Sequence, residues 1–213
     1  YPELETVSAI TVGEMLNRER ERLFQDLAEL VPDPAILAVF QLPHDYHNVK
    51  VLLKSEAMGI QEDRLLVDAG RIPSKQLVAA LRSGEVQNLP PQLGEAIDEA
   101  RQVLSATRDP QLGDMVLDRR YFQELLVLAE ETGSLFLQGY VQRMIDAVNL
   151  RTAVRVLRMG QGTEFLEGIL FPGGNMEVER LLTGINGGSM LEELYASSPL
   201  ARAAESGAMA ARG

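Results

Sequence analysis

Apolar residues recur three, four or seven apart along most of this chain, and the segments that carry the pattern are bounded by helix caps. Between Val12 and Leu30, the residues Val12, Met15, Leu16, Leu23, Leu27 and Leu30 share one helical face. Charges fill the other side, with Glu14 and Arg18 four apart in the favourable order. Asp33-Pro34 reads as an N-cap followed by proline at the first helical position, opening a helix over Ala35 to Leu42. Pro43 is expected to kink or end it, because proline lacks an N–H and crowds the preceding turn. The pattern resumes at Asp45 and closes at Gly59.

Leu89-Pro90-Pro91 breaks the middle of the chain, ahead of a helix from about Gln92 to Ala106. Asp109-Pro110 caps the next, which runs toward Gly133. Ser134 then starts what the pattern predicts to be the longest helix, ending at Gly160. Shorter helices are expected near Ser74 to Arg82, Met176 to Leu182 and Met190 to Ala196. Strand-like alternation with hairpin turns does not occur. The fold class is all-α.

One segment is echoed by another. Asp45-Tyr46-His47-Asn48-Val49-Lys50 matches Asp146-Ala147-Val148-Asn149-Leu150-Arg151 at an offset of 101. The match continues through Leu53 with Val154, Lys54 with Arg155, and Met58-Gly59 with Met159-Gly160. Upstream, Gly13-Glu14-Met15 answers Gly113-Asp114-Met115 at an offset of 100, and downstream Ile72-Pro73 is paired with Phe171-Pro172 at 99. Amphipathicity alone does not repeat Asp, Asn, Met, Gly and Pro in one order. We therefore expect tandem pseudo-symmetric helical bundles of about 100 residues, the first over 1–108 and the second over 109–198. Residues 199–213 would begin a third, truncated copy, whose Gly-[Glu/Asp]-Met would fall at Gly213.

The Asp and Asn of each motif are three apart and so share a helix face. Both are poor mid-helix residues, since their side chains compete for backbone hydrogen bonds. We expect them to bond a neighbouring helix or a kink, with Arg119 or Arg120 as candidate cationic partners, rather than to touch another protein.

The acidic balance limits the partners. A formal charge of -11 argues against nucleic acid and anionic lipid, both of which call for a basic face. No run nears the roughly 18 apolar residues of a membrane helix. Tyr1-Pro2-Glu3-Leu4-Glu5 has neither the basic start nor the apolar run of a signal peptide, and without an initiator Met the chain reads as a fragment. The absence of cysteine excludes disulfides and thiolate metal sites.

The repeated helix bearing Asp-x-x-Asn-[Val/Leu]-[Lys/Arg], in bundles of this size, resembles the C subunit of bacterial and archaeal V-type (A-type) ATP synthases, whose eukaryotic homologue is the d subunit of the vacuolar ATPase. The resemblance runs from about Val12 to Ala196, and Tyr140 to Arg155 (Tyr-x5-Asp-x2-Asn-Leu-x4-Arg) is its most typical stretch. It implies three pseudo-symmetric repeats arranged as a funnel, of which this chain carries two in full. It also implies a non-catalytic central-stalk connector, cytoplasmic and peripheral to the membrane. The wide end would rest on the rotor ring of membrane subunits, and the opening would receive the shaft made by the D and F subunits. ATP synthesis or hydrolysis would thereby be coupled to proton or sodium transport, with no cofactor, metal or catalytic residue in this component.

Sharper chemistry can be read into a few residues. His44 and His47, three apart beside Asp45, could share a metal, but the second copy has Val148 in place of His47, and capping or solvated histidines are the expectation. Gly160-Gln161-Gly162 follows a helix where a phosphate loop would follow a strand, so it reads as a linker. Glu130-Glu131 and Glu192-Glu193 read as solvated faces. Arg151, Arg155 and Arg158 form a stripe expected to pair with acids of the same chain; contact with a rotor shaft is the sharper reading. The rival functions are an acidic all-helical protein-binding scaffold unrelated to rotary ATPases, for which no 34-residue register exists, and a helical-bundle enzyme using carboxylates with His44 and His47.

Overall fold

A computed structural model describes residues 9–212, and no strand occurs among them. Tyr1 to Glu5 and Gly213, to which the signal-peptide and third-copy readings refer, lie outside the described residues. The chain divides into two compact units, one through Thr132 and the other from Gly133.

The first unit holds α1 (Ala9–Leu30), α2 (Pro34–Met58), α3 (Ser74–Ser83), α4 (Pro91–Thr107) and α5 (Pro110–Glu131). The caps read from the sequence are in place. The Asp33 carboxylate accepts from the Ala35 N–H at 2.9 Å, and Asp109 accepts from Gln111 at 2.8 Å. Gly59 ends α2 with φ 65°, a left-handed turn that a side chain would strain. Pro43 does not end α2. The helix runs through it for 25 residues and is the longest of the described helices, one residue longer than the 24-residue helix that follows α5. Leu42, Asp45 and Tyr46 beside the proline are buried, and their packing outweighs the local cost of about 3 kcal/mol for an interior proline.

α2 is the axis of this unit, with α3, α4 and α5 packed against it and α1 also in contact with it. Lys54 pairs with Asp114 and Lys50 with Asp118, so α5 runs antiparallel to α2. Arg120 of α5 reaches back to Glu99 and Glu95, and α5 follows α4 through a single turn, so these two are antiparallel as well. It follows that α4 and α2 are parallel, and α5 covers both.

The second unit holds α6 (Leu135–Arg158), α7 (Thr163–Glu167), α8 (Val178–Asn186), α9 (Leu191–Leu194) and α10 (Ala201–Arg212). Ser134 caps α6 by accepting from the Leu137 N–H. Leu150, Ala153 and Val156 of α6 share a core with Leu166, Leu181 and Tyr195. The sequence pattern missed α7, whose five residues are too few to show a period, and α10, whose apolar face is built of alanines and not of large side chains. α10 packs on α6 and α9. Ser198 and Pro199, just ahead of it, line one cavity with Arg143 and Asp146, while Ala208 and Ala211 line another with Leu157. α10 is therefore parallel to α6.

Candidate functional site

The paired Asp and Asn of α2 clasp the segment that leaves the helix. Asn48 is fully buried and makes two bonds to one residue: its Nδ2 donates to the Val67 carbonyl at 2.8 Å, and its Oδ1 accepts from the Val67 N–H at 2.9 Å. One helical turn earlier, Asp45 accepts from the Ile72 N–H at 3.2 Å. Buried side chains thus satisfy backbone groups of a turn-rich stretch that has no helix or strand partner of its own. The chain passes so close that a Cβ on Gly70 would enter the Asp45 carboxylate.

The same clasp is built on α6. Asn149 donates to the Phe171 carbonyl at 2.7 Å and accepts from its N–H at 2.9 Å. Asp146 accepts from the Met176 N–H at 2.9 Å, and a Cβ on Gly174 would meet its carboxylate. The equivalent pairs are therefore Val67 with Phe171, Gly70 with Gly174 and Ile72 with Met176, each 104 apart. That corrects the pairing of Ile72 with Phe171 at 99. The second segment is three residues longer, which shifts the register after the helix and hid Gly70 and Gly174 from the sequence comparison.

The two clasps differ in what neutralises the aspartate. Asp45 receives Arg71 Nε at 2.6 Å, Arg71 Nη1 reaches Glu124 of α5 at 2.8 Å, and Tyr46 donates its hydroxyl to Glu124 at 2.9 Å. One guanidinium thus serves two buried carboxylates and ties α2, the loop and α5 together. Burial pushes the Asp45 carboxyl above its ordinary value, against the opposing pull of the Arg71 hydrogen bond. The Tyr46 phenol is pushed up by burial and then by the Glu124 charge. At Asp146 a neutral residue takes the arginine's place: Asn175 donates to Oδ2 from its N–H at 3.1 Å and from Nδ2 at 3.0 Å. Tyr195 is fully buried in the same unit, and its hydroxyl has no hydrogen-bond partner among the described residues. Burial, followed by the Asp146 charge, raises its pKa. Arg71, not Arg119 or Arg120, is the cation of Asp45, and Arg120 is engaged with α4.

The remaining candidates fall elsewhere. His47 Nε2 lies 3.0 Å from the Leu65 carbonyl, and His44 meets Phe24 of α1 edge-on with centroids 5.8 Å apart. No group of three or more His, Cys, Asp or Glu side chains among the described residues is placed to hold a metal. Gly160 ends α6 with φ 66°, and Gly162 is the N-cap of α7. Glu193 accepts from the Met190 N–H and caps α9, which the solvated-face reading did not foresee. The arginine stripe also departs from expectation. Arg151, Arg155 and Arg158 are exposed, and no acid among the described residues pairs with them.

No described helix is long and apolar enough to cross a membrane. The family model for the ATP synthase (C/AC39) subunit matches residues 3–208. The V-type sodium ATPase C subunit of Enterococcus hirae is 28% identical over 172 residues, covering 81% of this chain and 52% of the relative. The V-type ATP synthase C subunit of Thermus thermophilus is 28% identical over 170 residues, covering 77% and 51%. The chain thus spans about half the length of the curated relatives it matches. No solved structure matches it significantly. With clasps, caps and paired helices all inside the matched span, the chain belongs to the C/AC39 subunit family of V-type ATP synthases.

Proposed function

We propose that this chain acts as a non-catalytic connector in the central stalk of a V-type rotary ATP synthase or ATPase, joining a D/F shaft to the membrane rotor ring. It works peripherally at the membrane on the cytoplasmic side and couples ATP synthesis or hydrolysis to proton or sodium transport. The observation that carries this reading is the family match over residues 3–208, together with relatives named as the C component of such machines. The build of the molecule agrees with a mechanical role. Its buried charges hold the chain to itself: Asp45, Arg71 and Glu124 join three segments, and Asn48 and Asn149 pin a loop to each long helix. A part that transmits torque needs such stiff joints, since a packed core with satisfied polar groups deforms little.

The same reading includes an internal duplication. The clasps correspond, α2 corresponds to α6, and α4 lies parallel to α2 as α10 does to α6. On this basis α10 stands to α6 as α4 stands to α2.

Reconstitution tests the function. The chain, mixed with a purified D–F shaft and a detergent-solubilised rotor ring, should co-elute with both in gel filtration. Separate elution from both partners would sink the connector reading, and turnover of a substrate by the isolated chain would favour the enzyme alternative.

A further inference from the structure

The last turns of α2 and α4 and the first turn of α5 border a groove whose lining lies wholly within the first unit. Its volume is about 780 Å³, in the range of sites that hold small organic molecules. Leu53, Met58, Leu104 and Pro110 give it an apolar wall, and Met58 is left 66% exposed there. Three charged residues share the lining: Glu56, Arg101 and Arg108. Arg101 donates from Nη2 to Glu56 at 3.0 Å and to the Leu81 carbonyl at 2.8 Å, while its buried Nε has no partner among the described residues. Glu56 thus offsets Arg101, and Arg108 remains as one spare positive charge. No acid among the described residues pairs with it, and neighbouring Asp109 turns its carboxylate to the Gln111 N–H.

Arg108 also holds an unusual backbone conformation. It ends α4 with φ 55° and is the only residue other than glycine with positive φ among the described residues. α2 and α3 end in the same left-handed turn with Gly59 and Gly84, where the lack of a Cβ removes the steric cost. An arginine that only balanced the negative end of the α4 dipole would do so from any position of the last turn, without that cost. At position 108 the guanidinium stands in the lining of the groove instead.

We propose that this groove binds a small amphipathic monoanion, an aliphatic carboxylate, with Arg108 holding the head group and the apolar wall covering the tail. One spare cation calls for one negative charge, and Leu53, Met58 and Leu104 call for an apolar body. A guanidinium meets a carboxylate through two parallel N–H···O bonds, which fixes the head group in place. The chain's net charge of -11 repels anions in general, so capture needs the local cation and burial of the tail together. Such binding goes beyond the connector role and does not depend on it.

The probe is decanoate, titrated into the chain and followed by calorimetry. We expect saturable one-to-one binding. Acetate, which lacks the tail, and decyltrimethylammonium, which reverses the charge, should each bind at least about tenfold more weakly. Arg108→Gly should weaken decanoate binding about tenfold, and Arg108→Lys, which keeps the charge, should weaken it less. Lys75→Glu, an exposed reversal on α3, should bind decanoate as the natural chain does. In urea unfolding the midpoint of Arg108→Gly should stay the same or rise, because glycine relieves the left-handed turn. The proposal is overturned if decanoate shows no saturable binding, if decyltrimethylammonium binds as well, or if Arg108→Gly binds decanoate undiminished. A lower urea midpoint for Arg108→Gly would also overturn it, since that assigns the arginine to the fold and not to a ligand.

Discussion

Gly70 leaves no room for a side chain above Asp45: a Cβ at Gly70 would enter the carboxylate that accepts the Ile72 N–H. Gly174 stands in the same relation to Asp146. In neither case does a positive φ demand glycine. Close approach of two chain segments does.

Gly70→Ala should therefore lower the stability of the first unit by about 2 kcal/mol, because the loop must lift off a buried carboxylate. Gly174→Ala should do the same in the second. Urea unfolding followed by circular dichroism measures this. A loss under about 0.5 kcal/mol in both would show that the clasp yields at little cost.

Asn48→Ala removes both bonds to Val67 and leaves a buried N–H and C=O without partners. The expected loss is about 3 kcal/mol. Hydrogen exchange offers a local readout, in which the Val67 amide should lose protection in Asn48→Ala and the Phe171 amide in Asn149→Ala. Unchanged protection at both would contradict the clasp.

Arg71 serves two carboxylates where Asn175 serves one. Arg71→Met should cost about 3–5 kcal/mol by leaving Asp45 and Glu124 buried and uncompensated, whereas Asn175→Ala should cost about 1 kcal/mol. Adding Glu124→Leu to Arg71→Met should recover part of the loss. Equal costs for Arg71→Met and Asn175→Ala in urea titrations would count against the difference between the clasps.

Tyr195 buries a hydroxyl that no described group satisfies. Tyr195→Phe should be neutral or stabilise the second unit by about 1 kcal/mol, since it removes an unpaired buried donor and keeps the ring. A clear drop in urea midpoint would reveal a partner for the hydroxyl.

Burial, then Arg20 and His47, hold the His44 imidazole below its ordinary pKa of 6.5. The neutral ring is thus favoured in the fold. Its contribution is complete above pH 6.5 and is lost as pH falls through the depressed value. Exchange of α1 amides should speed up as pH falls below 6.5, beyond the intrinsic rate, and His44→Gln should flatten that dependence. A His44 titration at or above 6.5 by NMR would refute it.

By itself, the sequence determined the elements that rest on neighbours along the chain. Asp33-Pro34, Asp109-Pro110, Ser134 and Gly59 set their helix ends because a cap acts within a few residues. The Asp–Asn echo also identified two helices of special importance. Only the tertiary structure decided what those residues hold. Asn48 finds Val67 nineteen residues on and Asp146 finds Met176 thirty on, and a three-residue length difference between the two segments erases the register a sequence comparison follows. Burial of Tyr46 and Glu124 against each other, across 78 residues, is likewise a matter of packing. So is the state of the α6 arginines: Arg151 and Arg155 look like Lys50 and Lys54 of α2 in sequence, yet the lysines hold Asp118 and Asp114 while the arginines are exposed with no acid paired to them among the described residues.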